Sequence, residues 1–240
     1  MGEEGLAAAD LVGEVADSAA EELRGVGKKM KDAENFFSPQ EQERIRQAVV
    51  LAEQKTSGEI VPMLVNSSAR YAEVELAGVV IGLVVGTLAA FVWNDPWSAI
   101  HSQLLWPLAG AVAGYLICII PPVKRRLIPR DRVESAVDLR SFAAFTAHGL
   151  HHTREHTGIL ILVSLLEHRV EVLADKGINE KVSPGTWDEI VQIITAGLKS
   201  GKPCDAFCNA IERCSEILAQ HFPRPADDRD ELANKLLTER

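Results

Sequence analysis

The sequence is short of cysteine, of aromatic residues and of basic charge. Four cysteines in 240 residues are too few and too oddly placed for a disulfide framework. Cys204, Cys208 and Cys214 follow one another along a predicted helix with C-x3-C-x5-C spacing, and Cys118 lies in an apolar run. That spacing is not a tetrahedral zinc signature, so reduced thiols in a reducing compartment are expected. Formal charge is −9, and the basic residues form no stripe outside a short run at 124–132. Nucleic acid is therefore not an expected partner. There is no glycine-rich phosphate loop, no nucleophile elbow and no H-E-x-x-H motif, so the familiar nucleotide and hydrolase signals are missing. Met1–Asp10 is acidic where a secretory signal is basic, and Leu6 stands where a myristoylation site wants serine or threonine.

What the chain does have is two uncharged apolar runs, Leu76–Trp93 and Leu104–Ile120. As a helix each spans roughly 26 Å, near the lower limit for a hydrocarbon core. Residues 71–121 thus read as a two-helix transmembrane hairpin, with the lipid bilayer as first partner. The alternative is a buried hairpin of a soluble protein, which needs a larger surrounding domain. Lys124, Arg125, Arg126, Arg130 and Arg132 follow the second run, while Asn94–Gln103 between the runs has no lysine or arginine. The positive-inside bias then expects an inner-membrane protein with both termini cytoplasmic. Trp93, Trp97 and Trp106 cluster where an interfacial aromatic belt would sit.

Gly78-x-x-x-Gly82-x-x-x-Gly86 in the first run and Gly110-x-x-x-Gly114 in the second would let helix backbones approach closely in lipid. Two readings stand: the helices pack on each other, or the first mediates a homodimer through Gly78, Gly82 and Gly86. Neither run holds an interior charge, which argues against an ion path. Glu75 falls at the boundary.

Outside the hairpin, residues 1–35 form an acidic leader, helical or loosely ordered, and 223–240 an acidic tail with one short helix expected after Asp227. Residues 36–70 and 122–222 make one discontinuous domain. Ser38-Pro39-Gln40-Glu41 is a capping-box pattern opening a helix to about Thr56. Gly58–Val65 reads as a strand, and Pro62, lacking an amide hydrogen, predicts an edge position or a bulge. A helix is expected from Arg132 to Glu155, burying Ala136, Leu139, Ala143 and Leu150. Gly158–Ser164 and Arg169–Leu173 read as an antiparallel pair joined by a turn at Leu166–His168. Trp187, Ile190, Ile194 and Leu198 mark one amphipathic helix, and Phe207, Ile211, Cys214 and Leu218 another. Helices before, between and after strands imply an α/β layer architecture.

His148, His151, His152, Glu155 and His156 are the densest group of candidate ligands. On one helix His148, His152 and His156 step by four, as do His151 and Glu155, a spacing that can set imidazoles around zinc. At 100° per residue they centre opposite the Leu139 to Leu150 stripe. A metal site at His148, His152 and Glu155 therefore stands beside a solvated histidine-rich helix end. Glu167, Arg169, Asp175 and Lys176 close the two central strands, as turn charges or as a site at a sheet edge. His221 reads as structural.

Thr157–Ser164 followed by Glu167–Ile178 resembles the central signature of the TPM domain family, in which an N-G-V-L-like strand precedes a charged turn, a second strand and a glycine-rich segment. Glu53-x-x-Thr56-Ser57-Gly58-Glu59-Ile60-Val61 resembles that family's first passage from helix to strand. The resemblance covers about 36–66 and 130–222. With the inserted hairpin, Trp187 and His221-Phe222-Pro223, it extends to a bacterial subgroup of membrane proteins. It implies a small α/β sandwich in which helices cover a sheet. In some relatives it goes with acid phosphatase activity and photosystem repair, and in some with a divalent metal ion. Where many members carry G-x-G-L-E-G and then an aspartate, this chain has Lys176-Gly177-Ile178-Asn179-Glu180 and then Ser183-Pro184. The acidic residues left nearby are Asp175, Glu180 and Asp188, which implies a rearranged oxygen site for the ion. The function expected is a membrane-anchored, cytosol-facing TPM-like domain acting as an interaction, assembly or maintenance module for membrane proteins. The alternative is a metal-dependent phosphatase tethered to the inner membrane, with Asp175 and Asp188 holding the ion.

Overall fold

Two apolar strands buried on both faces form the centre of the structure: β1 (Glu59–Val65) and β2 (Gly158–Ser164). They run parallel in register, from Glu59 opposite Gly158 to Val65 opposite Ser164. Burial on both faces is what a parallel pair under helices requires, and it explains why these runs do not alternate with polar residues. The computed structural model describes residues 32–92, 99–183, 185–225, 232 and 234–239, with 99–103 as backbone alone. Around the central pair lie α1 (Ala33–Phe36), α2 (Pro39–Glu53), α3 (Ala72–Val92), α4 (Ala99–Ile119), α5 (Pro121–Leu127), α6 (Arg130–Ala147), a 3-10 turn (Leu150–His152), β3 (Arg169–Ala174), α7 (Lys176–Asn179), α8 (Thr186–Lys199), α9 (Pro203–His221) and β4 (Leu237–Glu239). The sheet order is β3-β2-β1-β4, with β3 antiparallel to β2 and β4 parallel to β1.

The alternation of side chains along β1 and β2 separates two cores. Ile60, Leu64, Ile159, Ile161 and Val163 pack with residues of α2, α8 and α9 on one face. Val61, Met63, Val65, Leu160 and Leu162 pack on the other with Tyr71, Val133, Val137, Phe145 and Leu150. Each such fully buried aliphatic side chain contributes roughly 1.5–3 kcal/mol. The capping box is present: the Ser38 side chain accepts from the Glu41 amide, and the Glu41 carboxylate takes the Ser38 amide at 2.8 Å. Phe207, Ile211, Cys214 and Leu218 on α9 are all fully buried, and so are Ile190 and Ile194 on α8.

Pro62 does not mark an edge or a bulge, because β1 is an interior strand. Odd-numbered residues of β1 direct their amide groups to β2, as the Glu59 amide shows by donating to the Thr157 carbonyl. Even-numbered ones face the opposite side, where the Glu53 carboxylate takes the Ile60 amide. β4 pairs with β1 only from Met63 onward. The missing amide hydrogen of Pro62 therefore falls in the gap between Glu53 and β4, where the sheet asks nothing of it. β4 is itself a departure: the end of the chain supplies a strand where the composition suggested only a helical tail.

The long helix expected to Glu155 ends at Ala147. Gly149 adopts φ +74°, a left-handed conformation that stops helices and that glycine adopts without strain. The buried face of α6 is Val133, Ala136, Val137, Ser141, Ala144 and Phe145. Ala136 and Leu150 are buried as expected, but Leu139 is 71% exposed and Ala143 is exposed too, so the middle of the expected stripe is replaced by residues rotated toward the sheet.

α3 and α4 form an antiparallel hairpin between β1 and α6. α3 has a mean hydropathy of 2.2 and is long and apolar enough to cross a membrane. α4, taken from Leu104, passes the same test together with α5, from which it is bent by 90°. A Cβ built on Gly82 would land on the Gly110 carbonyl, one on Gly114 would land on the Gly78 carbonyl, and one on Gly86 would land on the Trp106 carbonyl. The glycines are thus the seam between the two helices. Trp93 and Trp97 lie outside the described residues, as does the leader as far as residue 31.

All four cysteines are free thiols. Burial is the first cause in each of the α9 thiols. It holds Cys204 up at about 11 and Cys214 at about 12, and it raises Cys208. A raised value means little thiolate near neutrality. At pH 8 iodoacetamide is expected to label half-buried Cys208 first and Cys214 only after unfolding, read by peptide mass spectrometry. Rapid labelling of Cys214 in the folded protein would contradict the packing of α9.

Candidate functional site

The C-terminal ends of the parallel strands β1 and β2 carry a buried polar network. Glu167, in the turn after β2, is 5% exposed. It accepts from the Ser68 amide at 2.9 Å and from the Tyr71 hydroxyl at 2.7 Å, and a short hydrogen bond joins it to the Ser164 hydroxyl. Ser68 Oγ lies 3.1 Å from Ser164 Oγ. The turn stays against β1 because the Leu165 and Leu166 amides donate to the Val65 and Asn66 carbonyls. Burial first, and the Glu167 acceptor second, hold the Tyr71 phenol well above its usual range.

His168 follows in the left-handed region at φ 51°, rare for a residue with a Cβ. Its Nδ1 lies 2.7 Å from an Arg125 guanidinium nitrogen of α5. Since arginine only donates, Nδ1 must accept. Burial and then the Arg125 charge hold this imidazole below its usual value, which keeps it a neutral acceptor at pH 7.

Two clefts meet at Arg125, and His168 lines the first of them. One, of about 540 Å³, is apolar, running between Phe36, Val163, Val170 and Leu198, with Arg125, His168 and Lys199 among its lining. The other, of about 800 Å³, lies between α5, the start of α6 and the β2–β3 turn, and is lined by Arg125, Arg126, Arg130 and Arg169 with Glu134 and Glu167. Beside it, Lys124 pairs with Glu75 at 2.6 Å and Arg132 with Glu73 at 3.2 Å, tying α5 and α6 to the start of α3. Glu75, at the boundary of the first apolar run, thus has a defined partner. In open α/β sheets the C-terminal strand ends are where ligands bind.

The residues singled out as candidate ligands lie elsewhere and do not converge. Because α6 stops at Ala147, the four-residue stepping of the histidines is broken. His148 caps α6 and lies 3.5 Å from a Glu239 carboxylate oxygen, whereas the His152 ring stacks on that of His151 at 3.8 Å. Glu155 reaches Ser57 Oγ at 3.4 Å. Asp175 caps α7 and lies 3.2 Å from His156 Nδ1. Glu180, at the other end of α7, faces Lys176 at 3.6 Å, while Asp188 sits in the first turn of α8. Among the described residues no three His, Cys, Asp or Glu side chains are placed to hold a metal ion. Among the described residues the donor set as arranged does not fit a divalent cation.

Glu167 and Arg169 stand at the strand ends expected from the sequence. Arg125, Arg126 and Arg130, expected as a membrane flank, line the cleft, and Ser68, Tyr71 and Ser164 join the site without being among the expected residues. The pattern Ser164-x-x-Glu167 directly after an apolar strand is the signal that could have found the network, since a polar pair there has to satisfy itself.

Residues 126–217 match the TPM domain, a segment that lies after the hairpin. Among solved structures the chain is similar to the NMR structure of BA42 protein from the psychrophilic bacterium Bizionia argentinensis. That likeness has a TM-score of 0.56 at 22% identity, over 88% of this chain and 100% of that one. It extends the shared fold to the elements before the matched segment. No curated protein matches.

Proposed function

We propose that this protein is a TPM-type domain anchored by its hairpin in the inner membrane, where it faces the cytosol and serves as an interaction, assembly or maintenance module for membrane proteins. The observation that carries this reading is the outward surface of the hairpin. Phe91 is 84% exposed and Leu104 72%, and Leu76, Ile81 and Leu88 are exposed beside them on the same pair of helices. A continuous apolar surface of this kind calls for lipid or protein cover. Lys124, Arg125 and Arg126 directly after the bend favour a cytosolic foot. Leu139 and Phe142, both exposed on the outer face of α6, offer a contact for a partner in the same membrane. A homodimer through Gly78, Gly82 and Gly86 would require the hairpin to open, because those glycines face α4.

Alkaline carbonate extraction of membranes should leave the full chain in the pellet, and single-cysteine labelling should reach the domain only from the cytosolic side. A photo-crosslinker at Phe142 should give a reproducible adduct with one membrane protein. Release by carbonate would remove the anchor, and absence of any adduct would remove the module. A second reading, a phosphatase tethered to the same membrane, rests on the resemblance around β2 and β3. Asp175, held beside His156 with its side chain only 13% exposed, is the residue it would need. It requires turnover of p-nitrophenyl phosphate that Asp175→Ala abolishes without unfolding the protein.

A further inference from the structure

We infer that the arginine-lined cleft at the foot of the hairpin binds a phosphate group, carried by the headgroup of an anionic phospholipid. The inference rests on the membrane reading above for the source of the phosphate, but not for the site itself. Four arginines, Arg125, Arg126, Arg130 and Arg169, face one cleft of about 800 Å³ that also holds Glu134 and Glu167. Both carboxylates are accounted for: Glu134 pairs with Arg169 at 2.7 Å, and Glu167 is turned inward onto Ser68, Tyr71 and Ser164. Arg125 is held by neutral His168. Arg126 and Arg130 are exposed and have no carboxylate partner among the described residues. Four guanidinium groups against two carboxylates thus leave the cleft with an excess of two positive charges, since Glu167 meets only neutral donors.

Pro129 opens α6 without a side-chain cap, so the first-turn amides of that helix add their partial positive charge. Guanidinium forks match the geometry of phosphate oxygens. The position of the cleft argues for a lipid. Pro122, which lines it, follows Ile119 at the end of the apolar helix α4 by a single turn, and α5 turns away by 90°. Seven residues of α5 extend only about 10 Å, which puts the arginines at headgroup depth beside an inserted hairpin. Basic pockets at that depth select anionic lipids.

The test uses the full chain in a mild non-ionic detergent at fixed ionic strength. It is titrated by thermal shift with short-chain phosphatidylglycerol, with phosphatidylcholine of the same chain length and with inorganic phosphate. Wild type should prefer phosphatidylglycerol. An Arg126→Gln, Arg130→Gln variant, with unchanged ligand-free melting, should bind it about fivefold more weakly per arginine, roughly twenty-five-fold in all. Lys176→Gln, at the start of α7, should bind as wild type does. Stabilisation by inorganic phosphate that the double variant loses, without lipid preference, supports the site but assigns it to soluble phosphate. No response to either phosphate source, or a response that the double variant keeps, overturns the proposal. Carbonate-resistant insertion into phosphatidylcholine vesicles is scored separately. Failed insertion with phosphate binding intact sinks the anchor and not the cleft, and insertion without phosphate binding sinks the cleft alone.

Discussion

Gly82→Leu is expected to separate α3 from α4, with the largest loss of stability of any single substitution in the hairpin. Extra volume in a packed interior costs about 1–3 kcal/mol when side chains can give way. Here the obstacle is backbone: a Cβ on Gly82 meets the Gly110 carbonyl, and the next contact is the Gly114 Cα. Neither can rotate aside, so the helices must part along the seam from Gly78 to Gly86. The loss should reach or exceed about 3 kcal/mol, the upper end of that range. Parting them would also pull Lys124 from Glu75, because α5 continues directly from α4. Unfolding of the detergent-solubilised chain by SDS, followed by far-UV circular dichroism, should show the shift, while Leu83→Ala, on the outward face and 47% exposed, should scarcely move it. An unchanged midpoint for Gly82→Leu would mean that the glycines are not the seam.

Elements whose signal is local were legible in the sequence. The box at Ser38 and Glu41, the β2–β3 pair and the two terminal amphipathic helices each depend on residues a few positions apart. What is not legible is decided at β1 by a distant segment and at the end of α6 by one backbone conformation. Proline cannot donate to a ladder and so points to an edge or a bulge, but the relevant fact is how far β4, more than 170 residues later, reaches along β1. The end of α6 is hidden in the sequence because its apolar residues continue in helical spacing to Leu150, whereas Gly149 in the left-handed region ends the helix first.

The candidate site was less legible for the same reason. Histidines at fourfold spacing make a metal cluster only on an unbroken helix, and the break at Gly149 sends His148 toward Glu239 and His152 toward His151. The arginine cleft needs the opposite: residues 125–130 and 167–169 share it only because the chain bends at Pro121 and the β2–β3 turn comes up beneath. A charge run in a sequence reports a membrane flank. What that flank faces is decided by the tertiary fold.

The other large effect is expected at Glu167. Its carboxylate takes the Ser68 amide, the Tyr71 hydroxyl and the Ser164 hydroxyl inside the protein. Glu167→Ala leaves those donors without their acceptor at a site where the Tyr71 and Ser164 side chains are almost fully buried. Each stranded donor costs about 1–3 kcal/mol, so the loss should be on the order of 4 kcal/mol after partial rearrangement. Glu167→Gln keeps the shape and one acceptor oxygen, and should lose about half as much. Urea unfolding of the detergent-solubilised chain would measure both, and a loss under about 1 kcal/mol for alanine, the worth of one ordinary hydrogen bond, would show that the network is solvated. The pH dependence is a second test of the same network. Tyr71 is raised above its ordinary value of 10.0 in the fold, so the folded state holds a proton that the unfolded state releases. That contribution is fully present below about pH 10 and is lost as the pH rises toward the folded value. Stability should therefore fall more steeply above pH 10 in wild type than in Tyr71→Phe, which has no such proton. Equal slopes would place the phenol outside the network, and with it the reason that this turn, and the arginines around it, keep their positions.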